Sequence, residues 1–212
     1  MQGNTTFCFL LSVACLSLCA KVHSLPSTPE VVAGSASLKQ VDKTSLQMRV
    51  EDRTILAYET FKVTQGETLE FVQDSKDACV LNRVRGTDPA EIFGQLKSNG
   101  KVFLVSPGGI YFGSDAKVEV GSLIASTLDL ANDDFLAGRY EFFQGNSEGH
   151  ILNEGLLSSI EGSIALISSH IENAGTVLAE LGSVSLVSGE HVTLDFTGDG
   201  LMSFSVEGSV KD

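Results

Sequence analysis

Residues 151–170 read ILNEGLLSSIEGSIALISSH, and residues 171–190 read IENAGTVLAELGSVSLVSGE. A shift of 20 residues lays Asn153 on Asn173, Gly155 on Gly175, Gly162 on Gly182, Ser163 on Ser183 and Ser168 on Ser188. The apolar positions match in kind. A degenerate third copy starts at Val192-Thr193-Leu194, and Gly100-Lys101-Val102-Phe103-Leu104-Val105-Ser106 is an earlier relative. Self-similarity at such a period is the mark of a stacked repeat.

The contents of the unit decide what stacks. Ile164 to Ile167, Val184 to Val187 and Lys117 to Val120 are short runs rich in β-branched residues, with Gly, Asn or Ser at the corners. Helix is disfavoured, because Gly162, Gly175, Gly182 and Gly189 interrupt the region, each at a cost of ~1 kcal/mol in a helix interior. Hairpins are disfavoured too, since no Asn-Gly type turn separates the runs. Parallel pairing between successive repeats remains: an all-β solenoid, or parallel β-helix, with coils ~4.8 Å apart. Asn153 and Asn173 then form a structural ladder of amides along the axis. At 20 residues per coil the chain predicts roughly nine coils, about 40 Å of stack.

A solenoid end exposes core and unpaired strand edges, so it needs a cap. Leu46–Val50, Thr54–Tyr58 and Leu69–Phe71 alternate without showing the repeat. They predict an N-terminal β cap over 25–75, with coils over 76–212. Phe204 to Asp212 carries no capping signal.

The N-terminus reads as a secretory signal peptide over 1–24. Its apolar stretch, Phe7 to Ala20, is too short to span a bilayer, and Val22 and Ser24 suit a cleavage site. Cys15 and Cys19 leave lipidation open. Beyond the leader, whose one basic residue is Lys21, 13 basic residues face 27 acidic ones, a net charge of −14. Such a surface repels phosphate backbones, which argues against nucleic acid. A second long apolar run is absent, which argues against an integral helical span. Cys79 alone follows the leader, so neither an intramolecular disulfide nor a multi-cysteine metal site is expected.

Val31-Val32-Ala33-Gly34-Ser35-Ala36-Ser37, Val80-Leu81-Asn82-Arg83-Val84-Arg85-Gly86, Asn99-Gly100-Lys101-Val102-Phe103-Leu104 and Gly121-Ser122-Leu123-Ile124-Ala125-Ser126-Thr127 follow in a telling order. From about Glu30 to Phe204 the chain resembles the filamentous-haemagglutinin-type two-partner secretion domain, also called the haemagglutination activity domain. The resemblance implies a right-handed, pectin-lyase-like parallel β-helix. It also implies export through the inner membrane to the periplasm, and recognition by a dedicated outer-membrane transporter barrel of Gram-negative bacteria. Members are adhesins, haemolysins or toxin carriers, which implies a secreted or cell-surface product and a possible host or cell-surface receptor. The family hallmark, Asn-Pro-x-Gly-Ile, falls on Ser106-Pro107-Gly108-Gly109-Ile110, with Ser in place of the leading Asn. Ser106 is expected to make the same side-chain-to-backbone turn bond more weakly. A family Trp is Tyr58 here, and a long passenger does not follow within these 212 residues.

On the residues alone, Ser106 to Ile110 is a turn; its role in transporter recognition rests on the resemblance. Asp195 and Asp199, in a run ending Thr197-Gly198-Asp199-Gly200, contain oxygen ligands but lack EF-hand spacing. Asp133 and Asp134 suggest a solvated loop or a helix N-cap. The competing class is a carbohydrate-active enzyme on a parallel β-helix. Between Ile151 and Val192 the charged residues are Glu154, Glu161, Glu172, Glu180 and Glu190, with no Lys or Arg. That set suits neither acidic sugars nor a nucleophile triad, so a non-enzyme without cofactor is expected. His150, His170 and His191 recur near the repeat period, each before a β-branched residue. They predict one column on successive coils, a weak candidate metal site.

Overall fold

The computed structural model describes residues 25, 26, 28–196 and 202–208. The expected leader with Cys15 and Cys19, and Asp199, lie outside the described residues.

The chain enters through β1 (Glu30–Ala33) and β2 (Ala36–Gln40) and then winds into coils. The first coil is β3 (Ser45–Val50), β4 (Thr54–Tyr58) and β5 (Lys62–Val63), and the second is β6 (Thr68–Gln73), β7 (Cys79–Val84) and β8 (Ala90–Ile92). The third is β9 (Gln95–Ser98), β10 (Lys101–Val105) and β11 (Ile110–Phe112). The fourth starts with β12 (Lys117–Glu119) and β13 (Ser122–Ser126). It then breaks out through β14 (Asp129–Leu130), α1 (Asn132–Ala137) and β15 (Tyr140–Phe143) before returning as β16 (Ile151–Asn153). The fifth is β17 (Leu156–Ser159), β18 (Ile164–Ile167) and β19 (Ile171–Asn173), and the sixth is β20 (Thr176–Ala179) and β21 (Val184–Val187). A hairpin of β22 (His191–Phe196) and β23 (Met202–Glu207) follows.

Three stacked sheets result, in the orders β2-β3-β6-β9-β12-β17-β20, β1-β4-β7-β10-β13-β18-β21 and β5-β8-β11-β16-β19. From β3 to β21 neighbouring coils pair in parallel, with the predicted register of Ile164 on Val184 and Ile151 on Ile171. Antiparallel pairing at the entrance is confined to β1 on β4 and β2 on β3. Leu46–Val50 and Thr54–Tyr58, expected within the cap, therefore already belong to the first coil. The period also tightens along the stack: Thr54 pairs with Val80, Lys101 with Ser122 and Ile164 with Val184.

There are six coils where the repeat predicts nine. The entrance strands, the excursion between β13 and β16, and the last hairpin all leave the stack. β14, β15, β22 and β23 form a fourth, antiparallel sheet laid over the β4-β7-β10-β13-β18 face. Both faces of that stacked sheet are consequently buried. Leu56, Val80, Leu104, Leu123 and Leu166 point into the solenoid, and Ile55, Leu81, Phe103, Ile124 and Ile167 point into a second core with Phe135, Phe142, Val192 and Leu194. Buried parallel strands read as unbroken apolar runs, as Val102-Phe103-Leu104-Val105 does. Two arginines hold the excursion down. Arg53 donates from Nη1 to the Phe135 carbonyl at 2.9 Å, and Arg83 reaches Asp129, the Leu130 carbonyl and Asn132 Oδ1.

The third repeat copy, at Val192-Thr193-Leu194, is not a coil: β22 runs antiparallel to β15 and β23. Asp133 and Asp134 occupy the first turn of α1, not its cap, which is Ala131. Their charges favour that helix end, and Asp134 also pairs with Arg139 at 2.5 Å. At the far end the sixth coil leaves its ladder positions open: Val184 is 44% exposed and Leu186 53%. Tyr58 fills its expected aromatic place, fully buried edge-on to Phe61 with its hydroxyl donating to Asn82 Oδ1 at 3.3 Å.

Candidate functional site

The Ser106–Ile110 segment joins β10 to β11 across a corner of the third coil. Pro107 presets the second position of the turn, and the Gly109 amide closes it onto the Ser106 carbonyl at 3.0 Å. Gly109 then takes φ +119°, which L side chains rarely adopt. At Gly108 a Cβ would lie 2.3 Å from the Thr87 carbonyl oxygen of the coil below. The glycines are thus demanded by one conformation and one close approach.

The coil above seals the turn. Ser147 Oγ donates to the Pro107 carbonyl at 3.1 Å, and the Gly149 amide donates to the same oxygen at 3.2 Å. The Ile110 amide donates to the His150 carbonyl at 3.0 Å. Ser106, Gly109 and Ile110 are buried, while Pro107 and Gly108 remain half-exposed. Of the five residues, only these two offer surface. The expected Ser106 turn bond is not made: its Oγ is fully buried and has no hydrogen-bond partner among the described residues. Serine has a shorter side chain than asparagine, and its hydroxyl does not reach a backbone group in this packed corner.

The other predicted residues separate. Asn153, fully buried, donates from Nδ2 to Asn173 Oδ1 at 2.7 Å, and its own Oδ1 accepts the Gly155 amide at 3.1 Å. His150 and His170 stand on adjacent coils with ring centroids 6.2 Å apart. His191 does not join them. It opens β22 in the outer sheet, stacks on Phe143 at 4.3 Å and sits 3.4 Å from Glu207. The three-histidine column fails because the chain leaves the solenoid after β21. Among the described residues, no three or more His, Cys, Asp or Glu are grouped to hold a metal. Asp195 is exposed on β22 opposite Ser203.

An open groove runs past the corners of the second to sixth coils, lined in part by Lys76, Lys101, Glu161, Ile160 and Phe196. Its cations are paired: Lys76 with Glu161 at 3.3 Å and Lys101 with Asp77 at 3.2 Å. Lys101 also lies 5.4 Å from the Phe196 ring centroid. No helix among the described residues is long and apolar enough to cross a membrane.

A family model described as the TPS secretion domain matches residues 25–209. Two heme/hemopexin-binding proteins of Haemophilus influenzae are similar. One is 27% identical over 197 residues, covering 89% of this chain and 22% of the relative; the other is 29% identical over 154 residues, covering 69% and 16%. The chain therefore spans about a fifth of these curated relatives. The crystal structure of the HMW1 secretion domain from Haemophilus influenzae matches with a TM-score of 0.77 at 30% identity, over 84% of this chain and 48% of that one.

Proposed function

This chain belongs to the family of TPS, or two-partner secretion, domains, and from that premise we propose that it serves as the module through which an outer-membrane transporter barrel recognises an exported protein. Family and fold are those of a secretion domain and not of an enzyme. The single observation that carries the reading is the family match across nearly the whole stack, over 25–209. The leader over 1–24 takes the chain to the periplasm in this reading, and the product ends outside the cell or on its surface, with an adhesin-like role.

Within the hallmark turn, Pro107 and Gly108 are the residues with surface to offer a transporter. The test co-expresses the chain with and without its partner barrel and measures the fraction in the medium. Export that depends on the barrel supports the reading; equal export without it overturns it. Pro107→Ala then separates contact from structure. A loss of export larger than the loss of thermal stability supports direct contact at the turn, and proportional losses make the turn purely architectural.

A further inference from the structure

His150 closes the excursion of the fourth coil, and His170 precedes β19 on the fifth. Parallel pairing of Ile151 with Ile171 sets the two histidines directly over one another, and the Ile151 amide donates to the His170 carbonyl at 3.0 Å. Ile151 and Ile171 pack into or against the solenoid core, so the histidines on the preceding positions project outward. Both are exposed. The position one coil earlier is Gly109, which has no side chain to crowd them. Their rings meet edge to face at 66°, with centroids 6.2 Å apart.

We propose that His150 and His170 form a two-ligand site for a divalent transition-metal ion of the copper, nickel and zinc class. An ion held ~2.0–2.1 Å from one nitrogen of each ring puts the centroids about 5 to 6.4 Å apart, from tetrahedral to linear geometry. The observed 6.2 Å lies inside that span, and exposed imidazoles rotate freely enough to narrow it. Imidazole suits these ions, and their affinities for nitrogen ligands place copper above nickel and zinc. The surroundings favour a cation: Glu148 and Glu172 lie two residues from His150 and His170, and the whole chain carries −13. Water completes the coordination sphere. Because the ligands sit on different coils, the ion clips the end of the excursion to the coil that follows.

The test uses the untagged full chain with cupric and zinc ions, measured by calorimetry, by melting temperature and by the nitrogen couplings in the cupric spin-resonance spectrum. The wild type binds one ion through two nitrogens and melts higher with metal, since binding to the folded state alone stabilises it. His150→Gln and His170→Gln each weaken binding by about tenfold or more, because losing a ligand exceeds the ~10–100-fold cost of second-shell changes. His191→Gln and His23→Gln bind as the wild type does. Absence of binding, binding that survives both His150→Gln and His170→Gln, or dependence on one of the pair alone overturns the proposal.

Discussion

Asn153 bridges two coils: its Nδ2 donates to Asn173 Oδ1 at 2.7 Å while its Oδ1 receives the Gly155 amide at 3.1 Å. The two asparagines are not equivalent, since Asn153 is fully buried and Asn173 is exposed. Asn153→Ala removes the acceptor of a buried amide and costs about 1–3 kcal/mol. Asn173→Ala removes one hydrogen bond at a wet edge and costs about 0.5–1.5 kcal/mol. Denaturant titration of both variants checks the order; equal losses would show that burial does not set the strength of the ladder.

Gly162 marks the tightest corner. A Cβ there would lie 2.1 Å from the Gly121 carbonyl oxygen and 2.1 Å from Ser122 Oγ, and one on Gly182 would lie 2.2 Å from the Gly162 carbonyl oxygen. Gly162→Ala must push apart neighbouring coils that are held from both sides, with a cost of about 1–3 kcal/mol or more. Gly182→Ala acts on the last coil, which can move outward, and should cost less. Thermal melts of the two variants test this asymmetry.

Ile164 and Val184 occupy the same register position on successive coils, yet Ile164 is 0% exposed and Val184 44%. Ile164→Asp buries a carboxylate without a partner and costs several kcal/mol, enough to unfold neighbouring coils. Val184→Asp leaves its charge in water and should shift stability by less than about 1 kcal/mol. Circular dichroism melts distinguish them, and a native melt for Ile164→Asp would mean the register is wrong.

Asp42 gives the turn between β2 and β3 a pH response. The Thr44 amide donates to its Oδ1 at 2.8 Å and the Ser45 hydroxyl to its Oδ2 at 3.0 Å, and these bonds hold the carboxyl below its ordinary value. The folded pKa is thus lower than the unfolded one, ~3.9. The contribution is complete above that value and is lost as pH falls through the folded pKa. Asp42→Asn should flatten the acid limb of the melting-temperature profile below about pH 4. A carboxyl titration of Asp42 by NMR at the unshifted value would rule this out.

The pairings of Ile164 with Val184 and of Ile151 with Ile171 are legible in the sequence, because their coils repeat almost residue for residue. The pairing of Leu123 with Ile164 is not, since the excursion through α1 and β15 interrupts the period. His191 shows the limit of periodicity. Its local pattern copies the residues before β16 and β19, but the choice between coil and hairpin is made by Phe142 and Val192 packing in the second core. The continuous apolar run of β10 carries a signal for that core: a strand buried on both faces needs a cover. Ser106 to Ile110 can be read as a turn, but its burial depends on Ser147 and Gly149, some 40 residues on.

The outer sheet imposes an order of events on folding. Each coil takes its partners from the coils directly next to it, so stacking can spread coil by coil from wherever it starts. β15 is different, because Tyr140 finds its partner only at Leu194. Until β22 arrives, β14 and β15 are a lone pair of short strands, which is marginal in water. Arg53 and Arg83 already hold the excursion to the early coils, but the outer edge of β15 stays unpaired while two further coils wind past it. Its latch closes last, and only then do Phe103 and Phe142 both become dry.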